Sequence, residues 1–385
     1  MWIVGGAPRD LLLGRAVLEV DLAVSDDAEP LARALEGRGF GTAVALSRKA
    51  PRVFRVAGKR ELDLVELAGA SIQEDLARRD FTANAMALEV STRRWLDPFG
   101  GTRDLALGRL RLVAAKNLSE DPLRALRAAR LAATHRLWPD RETTKACQEA
   151  ARGLKRVAPE RIQAELAKLL EAERVAPALR WCAAAGVLAP ALDLGRLDRV
   201  RALARSFPAL DSLFLRRCPP ERRRLLRLGW IAAKLHLSPS RASNWLSGRR
   251  FSREETGRVA RLLELTERAR RTRSADEAWR WVRDSGADAT DALVLLRLLH
   301  PREQDTAQSL GRRAARRRRG PDVTGKDILA WLPISEGPAV GELLRELEVQ
   351  ILRGRVRTRR QARKWLSAFT FTRQLPAGPS PAIIR

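Results

Sequence analysis

The sequence changes character near residue 115, and that change constrains the fold more than any other feature. Upstream, short apolar or alternating runs are separated by glycine turns: Trp2-Ile3-Val4, then Val17 to Val24, Val53-Phe54-Arg55-Val56, and Leu62-Asp63-Leu64-Val65-Glu66-Leu67. Downstream, Leu, Ala and Arg recur at helical spacing with few strand signals. A period of two puts alternate side chains on opposite faces of a sheet, whereas a period near 3.6 gathers them on one face of a helix. The expected architecture is therefore α+β, a sheet-containing head followed by a long helical body. The last two upstream runs, joined by Ala57-Gly58-Lys59-Arg60, read as a hairpin. With 385 residues and 45% hydrophobic content, the chain is long enough for two or three domains with real cores.

The alternation over Val17 to Val24 places Glu19 and Asp21 on the same strand face. Just upstream, Trp2-Ile3-Val4 runs into Gly5-Gly6-Ala7-Pro8-Arg9-Asp10, which reads as a strand, a glycine turn and a helix with proline in its first turn. Each piece alone has an ordinary explanation, an acid pair as a solvated face and Gly-Gly as punctuation. Together they suggest a site for a metal and a phosphate. Gly5 and Gly6 let backbone N–H groups approach phosphate oxygens, Arg9 adds a fixed positive charge, and two carboxylates hold Mg²⁺ together with substrate phosphates.

The formal charge of +27 points to a polyanionic partner, most simply nucleic acid, whose binding weakens steeply with salt. Two basic runs, Arg312 to Arg319 and Arg355 to Lys364, are candidates for RNA backbone contacts, with a solvated charged face as the alternative. The three cysteines, Cys147, Cys182 and Cys218, are too scattered for a disulfide framework or zinc cluster and are expected to be ordinary thiols in a reducing cytoplasm. No signal peptide and no apolar run of membrane-spanning length is present, so no membrane partner is expected. His135, His236 and His300 are likewise scattered and none is followed by Asp, which gives a histidine-aspartate phosphohydrolase no support. No protein partner is inferred, and the segment from Gln374 to Pro381 reads as a loose tail.

Three further segments bear on chemistry. The stretch from Asp75 through Arg78-Arg79-Asp80-Phe81-Thr82-Ala83-Asn84, continuing to Asp97-Pro98-Phe99-Gly100-Gly101-Thr102-Arg103-Asp104, carries charged and amide groups suited to a ribose and its phosphates; a capped helix and a turn explain it equally well in isolation. In Glu120-Asp121-Pro122-Leu123-Arg124, Asp121 and Arg124 share a helix face. Asp121 as an N-cap paired with Arg124 is one reading. The other is base selection, because a carboxylate accepts from the exocyclic amine of cytosine or adenine while a guanidinium donates to the adjacent ring nitrogen, a pattern that uracil and guanine reverse. Pro159 to Leu166 looks like a helix bracing this one. Asp63, beside the carboxylate pair, is either a third catalytic carboxylate or a solvated hairpin residue.

These motifs, in this order, resemble the class II tRNA nucleotidyltransferases and bacterial poly(A) polymerases. The resemblance is carried by Gly5 to Asp10, Glu19 and Asp21, Arg78 to Ala85, Glu120 to Arg124, and Glu160-Arg161-Ile162 to Glu165-Leu166, with Val323 to Ile328 and Gly337 to Gly341 further on. It implies a polymerase-β-like head over 1–114, a helical neck with the nucleotide-selecting motif over 115–172, a helical body over 173–300 and a basic, tRNA-binding helical tail over 301–385. It implies addition of C and/or A to the tRNA 3′ end from CTP and ATP, without a nucleic-acid template. Glu19 and Asp21 would then hold Mg²⁺, Gly5, Gly6 and Arg9 the triphosphate, and Arg79, Asp80 and Asn84 the ribose region. Asp121 and Arg124 would select the base, with Arg127 a neighbouring contact.

Four departures from that pattern stand out. Glu19 occupies a position usually held by aspartate, which puts metal geometry in question. Pro8 replaces an apolar residue. The chain starts almost on its first strand, so that either the start is late or the head is trimmed. Between Leu67 and Asp75 only Ala68-Gly69-Ala70-Ser71-Ile72-Gln73-Glu74 intervenes, where many CCA-adding members have a longer loop, and this predicts addition of CC alone. Two alternatives remain. One is a poly(A) polymerase. The other is a non-catalytic RNA binder with a decayed head, for which Leu237 to Arg250 would supply a helix-turn-helix reader.

Overall fold

The computed structural model describes residues 1–47, 51–58, 61–194, 197–319 and 321–373. The hairpin residues Lys59 and Arg60, and the tail from Gln374, lie outside them.

The upstream runs form the head. Its elements are β1 (Trp2–Val4), α1 (Gly6–Leu12), β2 (Glu19–Val24), α2 (Ala28–Gly37), β3 (Thr42–Ser47), β4 (Val53–Ala57), β5 (Glu61–Glu66), α3 (Ile72–Ala77), β6 (Ala87–Glu89), β7 (Trp95–Leu96) and α4 (Gly101–Ala106). The seven strands make one sheet in the order β3-β4-β5-β2-β1-β6-β7. Strands β4 and β5 pair as the expected hairpin, while β2 and β5 run parallel, with Glu19 opposite Glu61 and Asp21 opposite Asp63.

Alternation decides which side of this sheet is dry. Val24, Phe54, Val56 and Leu64 are buried with Ala28 and Ala32 of α2. Each large apolar side chain so buried contributes about 1.5–3 kcal/mol. The intervening residues Glu19, Asp21, Arg55, Glu61 and Asp63 are consequently turned to the opposite face. Asp27 starts α2 by accepting from the Glu29 backbone N–H at 2.9 Å, and Ser71 does the same for α3 through Glu74 at 3.3 Å.

Helices follow, broken by a two-residue pairing of β8 (Arg109–Leu110) with β9 (Trp138–Pro139). These helices begin with α5 (Ala115–Glu120), α6 (Leu123–His135), α7 (Arg141–Ala151) and α8 (Pro159–Glu171). In α6, Leu123, Ala125, Leu126, Ala128, Ala129, Leu131 and Ala132 are buried, which leaves Arg124, Arg127 and Arg130 as three successive steps along one flank.

Two compact units are present, one comprising residues 1–224 with 247–251 and the other residues 225–246 with 252–385. The second is helical among its described residues, and one of its cores gathers Ile328, Leu343, Leu347, Ile351 and Leu366. Its family-like motif at Val323 to Ile328 serves local structure, since Thr324 and Asp327 form a capping box on the helix Gly325–Trp331. Leu237 to Arg250 contains the helix Pro239–Gly248, which follows the helix Pro220–Lys234. Some members of the basic runs are engaged rather than free. The Arg313 guanidinium stacks over Trp279 at 4.4 Å, and Arg359 pairs with Asp327.

Cys147, Cys182 and Cys218 are all buried free thiols, and burial pushes Cys147 up to about 12, so it is not a nucleophile at neutral pH. Among the described residues no helix is long and apolar enough to cross a membrane.

Candidate active site

A cleft of about 580 Å³ opens on the carboxylate side of the head sheet. Gly5, Gly6, Arg9, Glu19, Asp21, Arg79, Asp80, Asn84, Arg124 and Arg127 all line it, together with Asp75, Arg78, Glu120, Arg130, Glu165 and Lys168. Elements spread over the first 170 residues therefore converge on one polar cavity.

The turn at Gly5 is needed for the cleft to exist. Its φ of 73° favours glycine, and a Cβ there would meet Asp21 Oδ2 at 2.3 Å. Asp21 thus packs directly against the glycine turn. Its carboxylate makes no hydrogen bond or ion pair with any described side chain. Burial raises its pKa above the ordinary value, the charges of Asp63 and Glu19 add to this, and Arg79 only partly opposes them. A half-buried, unpartnered carboxylate with a second carboxylate two residues away is a donor set that suits a hard divalent cation. Among the described residues no group of three or more His, Cys, Asp or Glu side chains gathers as a metal cluster, so the remaining ligands of such an ion would come from phosphate and water.

Facing the carboxylates is a network of arginines. Arg9 donates from Nη1 to Asn84 Oδ1 at 2.7 Å and from Nε to Asp10 Oδ1 at 3.0 Å. Burial pushes its guanidinium pKa down, though Asp10 counters much of the effect. Asp80 is fully enclosed: its Oδ1 accepts from the Phe81 N–H at 2.8 Å and from Asn84 Nδ2 at 2.9 Å, and its Oδ2 from Arg127 Nη1 at 3.0 Å. Burial alone would raise the Asp80 pKa, but Arg127 and these hydrogen bonds outweigh it and hold the carboxyl below its usual range. Glu165 on α8 accepts from Arg127 Nε at 3.1 Å and Arg130 Nε at 2.6 Å, and its pKa is lowered because both guanidiniums overcome burial. The helix expected to brace α6 does so through Glu165.

Arg124 differs from its neighbours. It reaches the cleft, yet its buried Nε and Nη1 have no hydrogen-bond partner, and burial lowers its pKa. Buried donors without acceptors cost about 1–3 kcal/mol each.

Asp121 departs from the reading as an N-cap paired with Arg124. Pro122, not Asp121, stands at the N-cap position of α6, and no side chain caps that end. Asp121 has extended backbone and accepts from Arg161 Nη2 at 2.8 Å instead of pairing with Arg124. It is not among the residues that line the cleft.

The downstream half of the 75–104 segment also serves structure rather than the cleft. Asp97 accepts from the Gly101 and Thr102 backbone N–H groups at 2.7 and 2.9 Å, capping α4. Buried Asp104 accepts from Thr82 Oγ1 at 2.6 Å and from Arg111 Nε at 3.0 Å. Asp63 is held by Arg55 in a bidentate pair, Nε to Oδ1 at 2.7 Å and Nη2 to Oδ2 at 2.8 Å. Sequence reading did not anticipate Lys168, whose Nζ lies 3.9 Å from Glu19 Oε1, or the contact between His135 and Asp10. Both depend on helix packing across more than a hundred residues.

A mixed head sheet bearing two carboxylates beside a glycine turn, closed by a helix that supplies arginines, defines a polymerase-β-like nucleotidyltransferase. A family model described as "Poly A polymerase head domain" matches residues 1–111, and one described as "Probable RNA and SrmB- binding site of polymerase A" matches residues 139–192. A CC-adding tRNA nucleotidyltransferase of Synechocystis sp. is 30% identical over 386 residues, covering 94% of this chain and 91% of that protein. An A-adding tRNA nucleotidyltransferase of Deinococcus radiodurans is 31% identical over 415 residues, covering 94% of each. The crystal structure of the Bacillus stearothermophilus CCA-adding enzyme in complex with CTP superposes with a TM-score of 0.66 at 25% identity, covering 97% of this chain and 94% of that one. The chain belongs to the class II tRNA nucleotidyltransferase family, and it is an enzyme of nucleotidyl transfer rather than a non-catalytic binder.

Proposed function

We propose that this protein is a CC-adding tRNA nucleotidyltransferase, extending tRNA by two cytidines from CTP. The observation that carries the specificity is the short connection from β5 to α3. After Leu67, only Ala68, Gly69 and Ala70 precede Ser71, which already caps α3. Ala68 is tied back by its N–H to Asp75 Oδ1 at 3.2 Å and by its carbonyl to Arg78 Nη1 at 2.7 Å, and the Ala70 N–H donates to Glu74 Oε2 at 3.0 Å. A segment so short and so bonded has no slack with which to reshape a base pocket between two nucleotides. Relatives of both CC-adding and A-adding type support the choice between these activities as the one to test.

In this reading Glu19 and Asp21 hold Mg²⁺, which would offset the negative charge that develops at the α-phosphate. Gly5, Gly6 and Arg9 receive the triphosphate, and Arg79 and Asn84 bound the ribose. Asp80 acts by fixing Asn84 and Arg127. Arg124 donates to the ring nitrogen and carbonyl edge of cytosine with its unpartnered N–H groups, which uracil cannot satisfy with its ring N–H. Asp121 joins the base only if it exchanges its bond with Arg161 for one to the exocyclic amine. The tRNA 3′-hydroxyl attacks in line, pyrophosphate leaves, and no covalent enzyme intermediate forms. The excess positive charge binds the tRNA, the chain divides into head, neck, body and tail, and the reaction takes place in the cytoplasm.

The test is incubation of tRNA lacking its 3′ end with CTP, with ATP, and with both. Addition of two cytidines and no terminal adenosine is the expected result. Efficient addition of the terminal A overturns the CC-only assignment, and processive ATP tailing of arbitrary RNA would identify a poly(A) polymerase instead.

A further inference from the structure

Helix α6 ends at His135, more than two turns beyond Arg127, and the His135 ring meets Asp10 of α1. Its Nε2 lies 3.0 Å from Asp10 Oδ1, and its Nδ1 lies 2.7 Å from Thr134 Oγ1. The same Asp10 oxygen receives Arg9 Nε at 3.0 Å and Arg9 Nη2 at 2.9 Å. The side chains of His135 and Arg9 are only 9% and 8% exposed.

The proton inventory fixes the direction of the bond between His135 and Asp10. Burial favours the neutral form of Asp10, but hydrogen bonds and charge from His135 and Arg9 outweigh it, so Asp10 is held below the usual carboxylate range and is ionised. An ionised carboxylate only accepts. Nε2 of His135 therefore carries a proton and donates it to Asp10, in either charge state of the ring. Burial lowers the ring pKa from its ordinary value, and on the other side of the ring the Thr134 hydroxyl lies between Nδ1 and the Arg130 carbonyl, 2.7 and 2.8 Å away.

Asp10 adjoins Arg9 in the chain and spends one oxygen on it. Without a donor from the far side, that carboxylate is free to rotate about its side-chain bonds and to carry the guanidinium with it. Arg9 has one other tether, Asn84, and its Nη2 already lies close to Gly6, where an added Cβ would sit 3.0 Å away.

We propose that His135 is a positioning residue for nucleotide binding: by donating to Asp10 it sets the Arg9 guanidinium at the glycine turn where the triphosphate docks. The proposal rests on the reading of Arg9 as a triphosphate ligand. It adds a residue that touches no substrate and lies 125 positions away from Asp10, through which it acts.

Equilibrium binding of CTP without tRNA is the primary readout, with KM, kcat and thermal melting measured alongside. His135→Ala should weaken CTP binding and raise its KM about tenfold, the scale of one hydrogen bond to a charged group, while kcat changes less than threefold. His135→Gln, whose amide N–H reaches the place of Nε2, should restore affinity to within about threefold of the parent. In a double-mutant cycle, adding His135→Ala to Arg9→Met should cost little further affinity, because the histidine acts through the arginine.

Unchanged affinity in His135→Ala overturns the proposal, as does a loss that is additive with Arg9→Met or one that His135→Gln fails to reverse. Should His135→Ala not fold, His135→Met, which fills the space without a donor, takes its place in the comparison. A parent chain that binds CTP but adds nothing to tRNA refutes the proposed reaction and leaves this comparison decisive. A parent chain that binds no CTP refutes both.

Discussion

Asp21 and Asp63 stand opposite each other across the parallel β2–β5 pair, and only Asp63 is matched by a guanidinium of its own. Arg55 neutralises one member of a carboxylate pair and leaves the other, in the cleft, to repel its neighbours. Burial raises the Asp21 pKa, and the charges of Asp63 and Glu19 add to it against the opposing guanidiniums of Arg79 and Arg55.

The sign of the resulting pH effect is fixed. An acid whose folded pKa lies above its unfolded value lowers stability as pH rises between the two, so acidification relieves the protein at this site. Asp21→Asn should therefore raise the melting temperature at neutral pH in the presence of a chelator. Mg²⁺ should stabilise the parent and not the variant. Nucleotide addition by Asp21→Asn should fall by about 100-fold or more, the scale of losing one group that stabilises transition-state charge. Survival of full activity would refute the metal assignment. Glu19→Asp, by contrast, should preserve or raise activity, since it keeps the charge and removes one methylene.

Asp63→Asn should leave turnover within about threefold of the parent, the range of an ordinary surface ion pair. Both Asp63 oxygens are committed to Arg55, and the residue does not line the cleft. A large loss in kcat, measured with saturating CTP, would show that Asp63 takes part in the chemistry after all.

Arg124→Ala should separate stability from activity. Removing two buried donors that lack acceptors relieves a penalty of about 1–3 kcal/mol for each, offset in part by lost packing, so urea unfolding should show little or no destabilisation. Addition of cytidine should nonetheless drop sharply, with discrimination against UTP lost. A variant that is strongly destabilised would mean that Arg124 has a structural partner in solution.

Glu165→Ala should cost about 1.5–3 kcal/mol, because it strips Arg130 of its paired carboxylate and leaves Arg127 with Asp80 alone. Glu165 and Asp80 have folded pKa values below the ordinary carboxylate range, so their stabilisation is complete above the unfolded carboxylate pKa, near 4. It is lost as pH falls through the lower folded values. The parent should accordingly lose stability on acidification below about pH 4, and Glu165→Ala should show a shallower loss in the same window.

Much of the site can be read from local pattern. The period of two places Glu19 and Asp21 on one face, and the three-residue steps place Arg124, Arg127 and Arg130 along one flank of α6. Gly5-Gly6 before Arg9 marks the turn. These are properties of short segments, governed by backbone geometry that any neighbour leaves intact. The change of pattern near residue 115 likewise separates sheet from helix, because each element must bury its own apolar side.

Partner choice is a different matter. Asp121 looks like the natural mate of Arg124, three residues away, yet it is taken by Arg161, and Asp104 goes to Thr82 and Arg111 rather than to the cleft. Asp10 meets His135, and Glu165 meets Arg127 and Arg130. An ionic side chain reaches several candidate partners, and the one it takes depends on how helices α1, α6 and α8 pack against one another. The sequence by itself determined the kinds of element, their exposed faces and the chemical groups those faces carry. Only the tertiary structure decided which charges cancel and which are left open, as Asp21 and Arg124 are, because that balance is struck between segments that the chain keeps far apart.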